Sequence, residues 1–531
     1  MTRPTVAQAQ AWRPESLRQL ADAWDAAAID LQARVEVVAR DVDESRDFWT
    51  GAAAEAARQR GATIAAGGAA ATRCLITAAV AARDGADQIA AARDDVLGLL
   101  EAARAEGFVV ADDGSVTGGA TSSLLVSLSG GSPAVAARDV LTTRIVEALD
   151  RLGAADADAD HDIAEAFRPP PAPPASTAPA GSWPVEAADV VAGWSAMSQD
   201  RIANQIAAMT PEQRQRLVDE FPKQVGNTDG VPWHMRIEAN RLNIAQAIAD
   251  EHRRTDNPES RTRIAFYQGL LGEVDDPARS GSRVDRQILA FDPDRASLIE
   301  LNGNLGTAKS VAVLVPGLNT TIEGSTANTQ TARRFVSATR GEVATITYLG
   351  GPFPRGDTLI TGLIEAADPR YALDMAPRLV AFSEDVDRTV DGTGRDIPVT
   401  YIGHSYGGSI MGTAEVFGLT ADRTLYLAAA GAGVGVDDPA DWHNRNPDVL
   451  RFSMTAPGDF IEAVQGIPAG PHGADPDEMP GVINLAAGDY DDHRPMAGWR
   501  AHSDLINWPS DSWRNILAVI TGDSATLHKA G

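Results

Sequence analysis

A five-residue turn between an apolar run and a helix-like run constrains this chain more than any other feature. Pro398-Val399-Thr400-Tyr401-Ile402 reads as a buried strand. It leads straight into Gly403-His404-Ser405-Tyr406-Gly407, and Gly408–Phe417 continues with helical character. A reversal this tight forces its central residue, Ser405, into strained backbone angles. Side chains on either flank would meet the strand or the helix, hence Gly403 and Gly407. Such a turn lifts a serine hydroxyl out at the carboxyl end of a sheet. It also aims the N–H of Tyr406 and the positive end of the following helix at the same point. The rival reading is a chance Gly-x-Ser-x-Gly in a chain with 48 glycines. The strand before it, the helix after it and the ordered partners downstream favour the first reading.

The surrounding pattern extends the turn into a fold. From about residue 285, short apolar runs alternate with helix-length segments, at 287–291, 297–301, 310–315, 343–348, 397–402, 424–428, 449–454 and 482–486. This alternation predicts an α/β domain with a mostly parallel sheet over 281–531.

A serine hydroxyl is a poor nucleophile until a base takes its proton, and the base needs a carboxylate to orient it. In this fold the order along the chain is serine, acid, histidine. The acid should follow a strand. Thr455-Ala456-Pro457-Gly458-Asp459 follows the run at 449–454, which makes Asp459 the acid. Its rival role is an N-cap for Phe460–Gln465, which is compatible with catalysis. The histidine should follow the last strand, leaving His493 and His502; the position of His502 just before the C-terminal helix puts it first and His493 second. An oxyanion hole needs two backbone N–H groups. Tyr406 supplies one, and Leu318 or Asn319, in Pro316-Gly317-Leu318-Asn319-Thr320, the other. Gly431-Ala432-Gly433-Val434-Gly435 lacks the spacing of the dinucleotide fingerprint, and there is no Walker A and no His-Glu-x-x-His sequence. No metal and no organic cofactor are expected.

The first third of the chain follows a different period. Leu17, Trp24, Leu31, Val38 and Ala21, Ala28, Val35, Val42, Trp49 form a seven-residue repeat, interrupted at Trp49-Thr50-Gly51. Leu75, Ala82, Ile89, Val96 and Ala103 continue a heptad in a second run, about 52–105. Two long helices joined at the Trp-x-Gly turn are expected. Phe108–Val116 reads as a small hairpin with an Asp-Gly turn, and Pro133–Leu152 as a third helix. Asp156, Asp158, Asp160 and Asp162 fail the EF-hand pattern, with His161 at the glycine position and Phe167 at the glutamate position, and read as a solvated acidic loop. The organisation expected is a helical-hairpin domain over 1–167, a Pro-rich linker over 168–184, a helical cap or lead-in segment over 185–280, and the catalytic domain. Thr210-Pro211-Glu212-Gln213 starts a helix in the third of these, with Thr210 capping and Gln213 closing a capping box.

The helical hairpin resembles the Trp-x-Gly superfamily of type VII (ESX) secretion substrates and their fused relatives in actinobacteria. That resemblance implies a small helical type VII partner, or self-association through residues 1–105, and export by a type VII system. The Tyr-x-x-x-Asp/Glu export signal of those substrates has no counterpart after the second helix, since the first tyrosine is Tyr267. A plain helical packing or dimerisation domain is the alternative. Residues 185–525 resemble an actinobacterial α/β-hydrolase family first described as a domain of unknown function. The shared elements are Val225-Gly226-Asn227-Thr228-Asp229-Gly230, Ala239-Asn240-Arg241, Val315-Pro316-Gly317-Leu318-Asn319-Thr320, Gly403-His404-Ser405-Tyr406-Gly407 and Ala501-His502-Ser503. It implies an α/β-hydrolase fold preceded by an all-α domain, and a hydrolase activity with no stated substrate.

The expected function is therefore a serine hydrolase acting on an ester, thioester or amide through Ser405, Asp459 and His502, with a small-molecule acyl substrate, lipid included. An alcohol acceptor in place of water would make it an acyltransferase. The alternative is an interaction or effector protein in which hydrolysis is secondary. A net charge of −27 opposes binding to nucleic acid or an anionic membrane. One cysteine, Cys74, precludes an intramolecular disulfide. The N-terminus lacks a signal-peptide core, and no stretch reads as the ~18 apolar residues of a membrane span. The expected location is the cytoplasm, or outside the cell by a type VII route.

Overall fold

A computed structural model describes residues 3–118, 133–168, 187–254, 257–356, 362, 365–465 and 470–530. The chain divides into two compact units, Met1–Ala172 with Ala245–Gly272, and Pro173–Ile244 with Glu273–Gly531. The expected linker lies, apart from Arg168, outside the described residues.

In the second unit, the eight apolar runs form one sheet, with strands β1 (Gln287–Asp292), β2 (Ser297–Asn302), β3 (Ser310–Val315), β4 (Val343–Leu349), β5 (Val399–His404), β6 (Arg423–Leu427), β7 (Leu450–Met454) and β8 (Ile483–Asn484). Across the sheet the order is β1-β2-β4-β3-β5-β6-β7-β8. β2 is antiparallel to β1 and to β4. Every pair from β4 to β8 is parallel. Parallel strands joined by crossover helices are covered on both faces, which is why β3 and β4 are buried at every residue and read as unbroken apolar runs. Phe335, from the helix Thr326–Ala338, stacks on Trp513 of the helix Asp511–Thr521 at 5.1 Å within this core. Full burial of a ring such as Phe335 contributes about 2 to 3 kcal/mol.

Register decides where the sheet's carboxyl ends meet. Val315 of β3 pairs with Gly403 of β5, His404 with Leu427 of β6, and Leu427 with Met454 of β7. The loops leaving these strands therefore emerge side by side.

Residues 187–244 form helices fastened to the β1 edge, the last of them the start of the twenty-residue helix Trp233–His252. Thr210 caps Pro211–Glu220, and the reciprocal bond from its own N–H to Gln213 closes the capping box the sequence predicts. Arg236 is buried; its Nε donates to the Leu289 carbonyl of β1 (2.8 Å) and its Nη1 to Asp229 (2.8 Å) and Asp385 (2.7 Å). Asp385 also accepts from the Trp233 indole (2.8 Å) and the Gly230 N–H (3.0 Å). Asn240 donates to the carbonyls of Gly226 (2.8 Å) and Ile288 (3.1 Å). A buried arginine is tolerable only with its donors answered in this way. The motifs 225–230 and 239–241 thus build a clamp on the edge strand.

In the first unit, Glu15–Glu44 and Ala52–Ala105 pair as a hairpin about Trp49-Thr50-Gly51, where Gly51 takes φ 106°. The heptad seam is physical. A Cβ on Gly61 would fall 2.3 Å from Val42 Cγ2, and one on Gly68 2.3 Å from Val35 Cγ2. Phe108–Val110 pairs antiparallel with Val116–Gly118, with Gly114 at φ 87° in the turn. The third helix runs over Pro133–Ala166, longer than expected. The acidic residues 156–162 are therefore helical, not a loop. Ala159 packs at Gly85 and Ile163 beside Ala21 and Ala82, so packing of one alanine-rich face carries the helix through the charged run. Residues 245–272, read from the sequence with the lead-in segment, group here; Arg253 reaches Glu36 at 2.6 Å. Ala52–Ala105 is the one described helix long and apolar enough to span a membrane by length and composition, with a window of mean hydropathy 1.5, which narrows the expectation that no such stretch exists.

Candidate active site

Ser405 caps the carboxyl end of β5 with φ 58° and ψ −124°, the strained conformation the turn requires. Its N–H donates to the Leu427 carbonyl and its carbonyl accepts from Ala430, both at 3.0 Å, so β6 holds the turn from both sides. The flanking glycines are dictated by contact. A Cβ on Gly407 would lie 2.1 Å from the Val315 carbonyl oxygen, and one on Gly403 would lie 2.6 Å from that of Gly407. Gly317, in the loop after β3, packs so closely that a Cβ there would sit 2.7 Å from Ser405 Cβ.

Asp459 follows β7 and His502 is the second residue of the helix Ala501–Asn507; both are buried. His502 Nδ1 lies 3.0 Å from each Asp459 oxygen. An ionised carboxylate only accepts, so Nδ1 carries a proton, and in the neutral ring Nε2 then keeps its lone pair. Asp459 Oδ1 also accepts the Ile461 N–H at 3.0 Å. The turn-capping and histidine-orienting roles therefore coexist in one carboxylate. Phe460 packs its ring 4.5 Å from that of His502. Ser405 and His502 line the same cavity, of about 850 Å³, although no hydrogen bond joins Ser405 Oγ to His502 among the described residues. Contacts of this kind commonly tighten only when substrate is bound. His493 lies elsewhere, exposed in the turn Tyr490–Arg494 with φ 64°.

The two residues named for the second oxyanion donor differ. Asn319 takes φ 62° and its N–H donates to the Pro354 carbonyl at 2.9 Å. Its side chain clasps Gly356, accepting that N–H at 2.8 Å. Asn319 does not line the cavity, so the expectation for it is corrected: its amide is spent on pinning 354–356. Leu318 does line the cavity, as does Tyr406, the first residue of the helix after Ser405. The first N–H groups of a helix have no partner within it and point toward whatever sits at its end.

The cavity wall is mostly apolar, with Leu318, Ala366, Phe460, Ile461, Val464 and Ile506 among its side chains. None of the described residues 187–244 lines it. Those helices are committed to the β1 edge, so of the cap and the lead-in read for 185–280 the cap is the one they do not form.

Two histidines that no sequence reasoning selected for a role also belong to the site's surroundings. His472 is buried, with Nε2 2.6 Å from the Ala366 carbonyl and Nδ1 2.8 Å from Ser409 Oγ. The carbonyl requires Nε2–H, so Nδ1 accepts from the serine, and the cavity wall at Ala366 is tied to the helix after the nucleophile. Burial lowers the His472 pKa, which favours the neutral ring this arrangement needs. His404 contacts His502 directly. Neither carries a sequence signal, because the partners lie 63 to 106 positions away.

The strand order, the strained serine between β5 and its helix, and an acid and a histidine after β7 and β8 define an α/β-hydrolase fold, with a mostly helical region before it. Residues 292–469 match the family model for alpha/beta hydrolases, so the chain carries an α/β-hydrolase domain. Among curated proteins, the chain is similar to an uncharacterized protein of Mycobacterium tuberculosis, present in strains CDC 1551 and H37Rv, at 29% identity over 42% of this chain. The match spans 38% of the length of that relative. Among solved structures, it is similar to a Thermus thermophilus protein at 14% identity and TM-score 0.21, covering 38% of this chain and 89% of the other. A hyperthermophilic esterase from the archaeon Pyrobaculum calidifontis is similar at 10% identity and TM-score 0.23, covering 60% of this chain and 99% of the other. Likenesses at these TM-scores carry no weight for function.

Proposed function

We propose that this chain is a serine hydrolase that cleaves an acyl ester, thioester or amide through Ser405, His502 and Asp459. One observation carries the reading: the Asp459-oriented imidazole of His502 and the strained Ser405 open onto one apolar cavity. Ser405 Oγ attacks the substrate carbonyl while His502 Nε2 takes its proton. The N–H groups of Tyr406 and Leu318 receive the oxyanion. His502 then protonates the leaving group, and water, activated by the same Nε2, releases the acyl group from Ser405. An alcohol in place of water gives acyl transfer by the same steps. An apolar wall around ~850 Å³ suits an acyl chain, lipid substrates included.

The test is covalent. A fluorophosphonate should label the protein, and peptide mass spectrometry should place the adduct on Ser405. An adduct on another serine, or none on folded protein, sinks the reading. A series of p-nitrophenyl esters of increasing chain length then ranks the acyl preference.

A second reading concerns the N-terminal unit and is favoured by exposed apolar side chains at and near the hairpin turn, Phe48 at 78% and Ile64 at 55%. Such residues suit a helical partner or self-association, with type VII export as the associated route and the cytoplasm as the alternative. Co-purification with a small helical protein that is lost in Phe48→Glu supports it; a monomeric, unbound chain under native expression counts against it.

A further inference from the structure

His404 is covalently adjacent to the nucleophile, and its ring reaches back to the base. Nε2 lies 2.8 Å from the backbone carbonyl oxygen of His502, and the two imidazoles sit 5.0 Å apart at 39°. A carbonyl oxygen only accepts, so Nε2 of His404 holds the proton and donates it there. Burial, then the neighbouring His502, push the His404 pKa down to about 4, so the ring is neutral near pH 7 and places no second cation beside the base. The helix bearing His502 is held by burial of Ala501, Leu505 and Ile506 and by bonds from Tyr490 to Asp504, Ser512 to Leu505 and Arg334 to Asn507; the His404 bond is the tie that comes from the residue next to Ser405. The helix has seven residues, and the two before it, Trp499 and Arg500, are exposed. A helix this short gains little rigidity from its own hydrogen bonds. Asp459 orients the His502 ring, yet nothing in that pair registers it against Ser405, which is carried by β5 and β6.

We propose that His404 is a positioning residue, whose Nε2–H to His502 carbonyl hydrogen bond indexes the backbone of the general base to the residue next to the nucleophile. The tie runs from Ser405 through one peptide bond and one side chain to His502. It sets the distance across which the proton moves, whereas the ring torsion is left to Asp459. This rests on the reading of Ser405 and His502 as nucleophile and base.

The full chain is compared with its His404→Leu, His404→Gln and His404→Asn variants on a p-nitrophenyl ester, with Ser405→Ala alongside. Leucine removes the donor. The amide of glutamine reaches where Nε2 stood, and that of asparagine falls short. The leucine and asparagine variants should lose about 100-fold in kcat with KM within about twofold, the signature of lost alignment. Glutamine should restore kcat to within about fivefold of the parent. Should leucine fail to fold, asparagine against glutamine decides. Equal kcat in asparagine and glutamine variants overturns the proposal. Turnover that survives in Ser405→Ala overturns the nucleophile reading instead, so the two failures are distinguishable.

Discussion

Replacing Ser405 by alanine should cut turnover by on the order of 10⁴- to 10⁶-fold while leaving the protein folded. The loss is this large because in the proposed mechanism the hydroxyl is the attacking atom, which alanine lacks. Stability should change little. The three backbone bonds that hold residue 405, to Leu427 and from Gly408 and Ala430, are independent of the side chain. Alanine tolerates the φ of 58° no worse than serine does. Measured kcat on an ester together with a thermal melt checks both halves. A residual rate within a few-fold of the parent would remove Ser405 from the mechanism; a collapsed melt would locate the effect in the turn and not in the chemistry.

Asp459→Asn should lower kcat by about 10⁴-fold, again with little change in stability. The carboxylate compels His502 to carry its proton on Nδ1. An amide NH₂ in the same place donates instead, so Nδ1 becomes the acceptor and the proton moves to Nε2. The base then has no lone pair for the Ser405 proton. The amide oxygen can still accept the Ile461 N–H, so the turn after β7 keeps its hydrogen bond. Asp459→Ala forfeits that bond as well and should lose stability by about 1 kcal/mol in addition. Parallel kcat and melting measurements on the two variants separate orientation of the histidine from capping of the turn. An asparagine variant as active as the parent would show that Asp459 only caps.

The sheet was legible because its strands are buried on both faces and so appear as uninterrupted apolar runs, such as 310–315 and 343–348. The hairpin was legible because a long two-helix seam repeats every seven residues, down to Val35 and Val42 opposite Gly68 and Gly61. The capping box at Thr210 was legible because all its bonds lie within one turn. Where the reading failed, the deciding contact was remote. Asp156–Asp162 looks like a loop until Ala159 and Ile163 find partners 74 and more positions back. Asn319 looks like an oxyanion donor until Pro354 takes its N–H. The helices before residue 245 read equally as a cap or a lead-in until Arg236 and Asn240 commit them to β1.

Local chemistry picks out the proposed nucleophile. Strain at Ser405 and the need for glycine on both flanks arise within five residues, so any chain with that turn between a strand and a helix must present that hydroxyl. The choice of the proposed base belongs to the tertiary structure. His493 and His502 follow the last strand equally well in sequence. Only the register of β5, β6 and β7, which brings three loops to one end of the sheet, puts Asp459 against His502 and leaves His493 in solvent. The same register sets His404 under the carbonyl of His502. These are contacts between groups 43 and 98 residues apart, created by strand pairing and invisible to any local pattern.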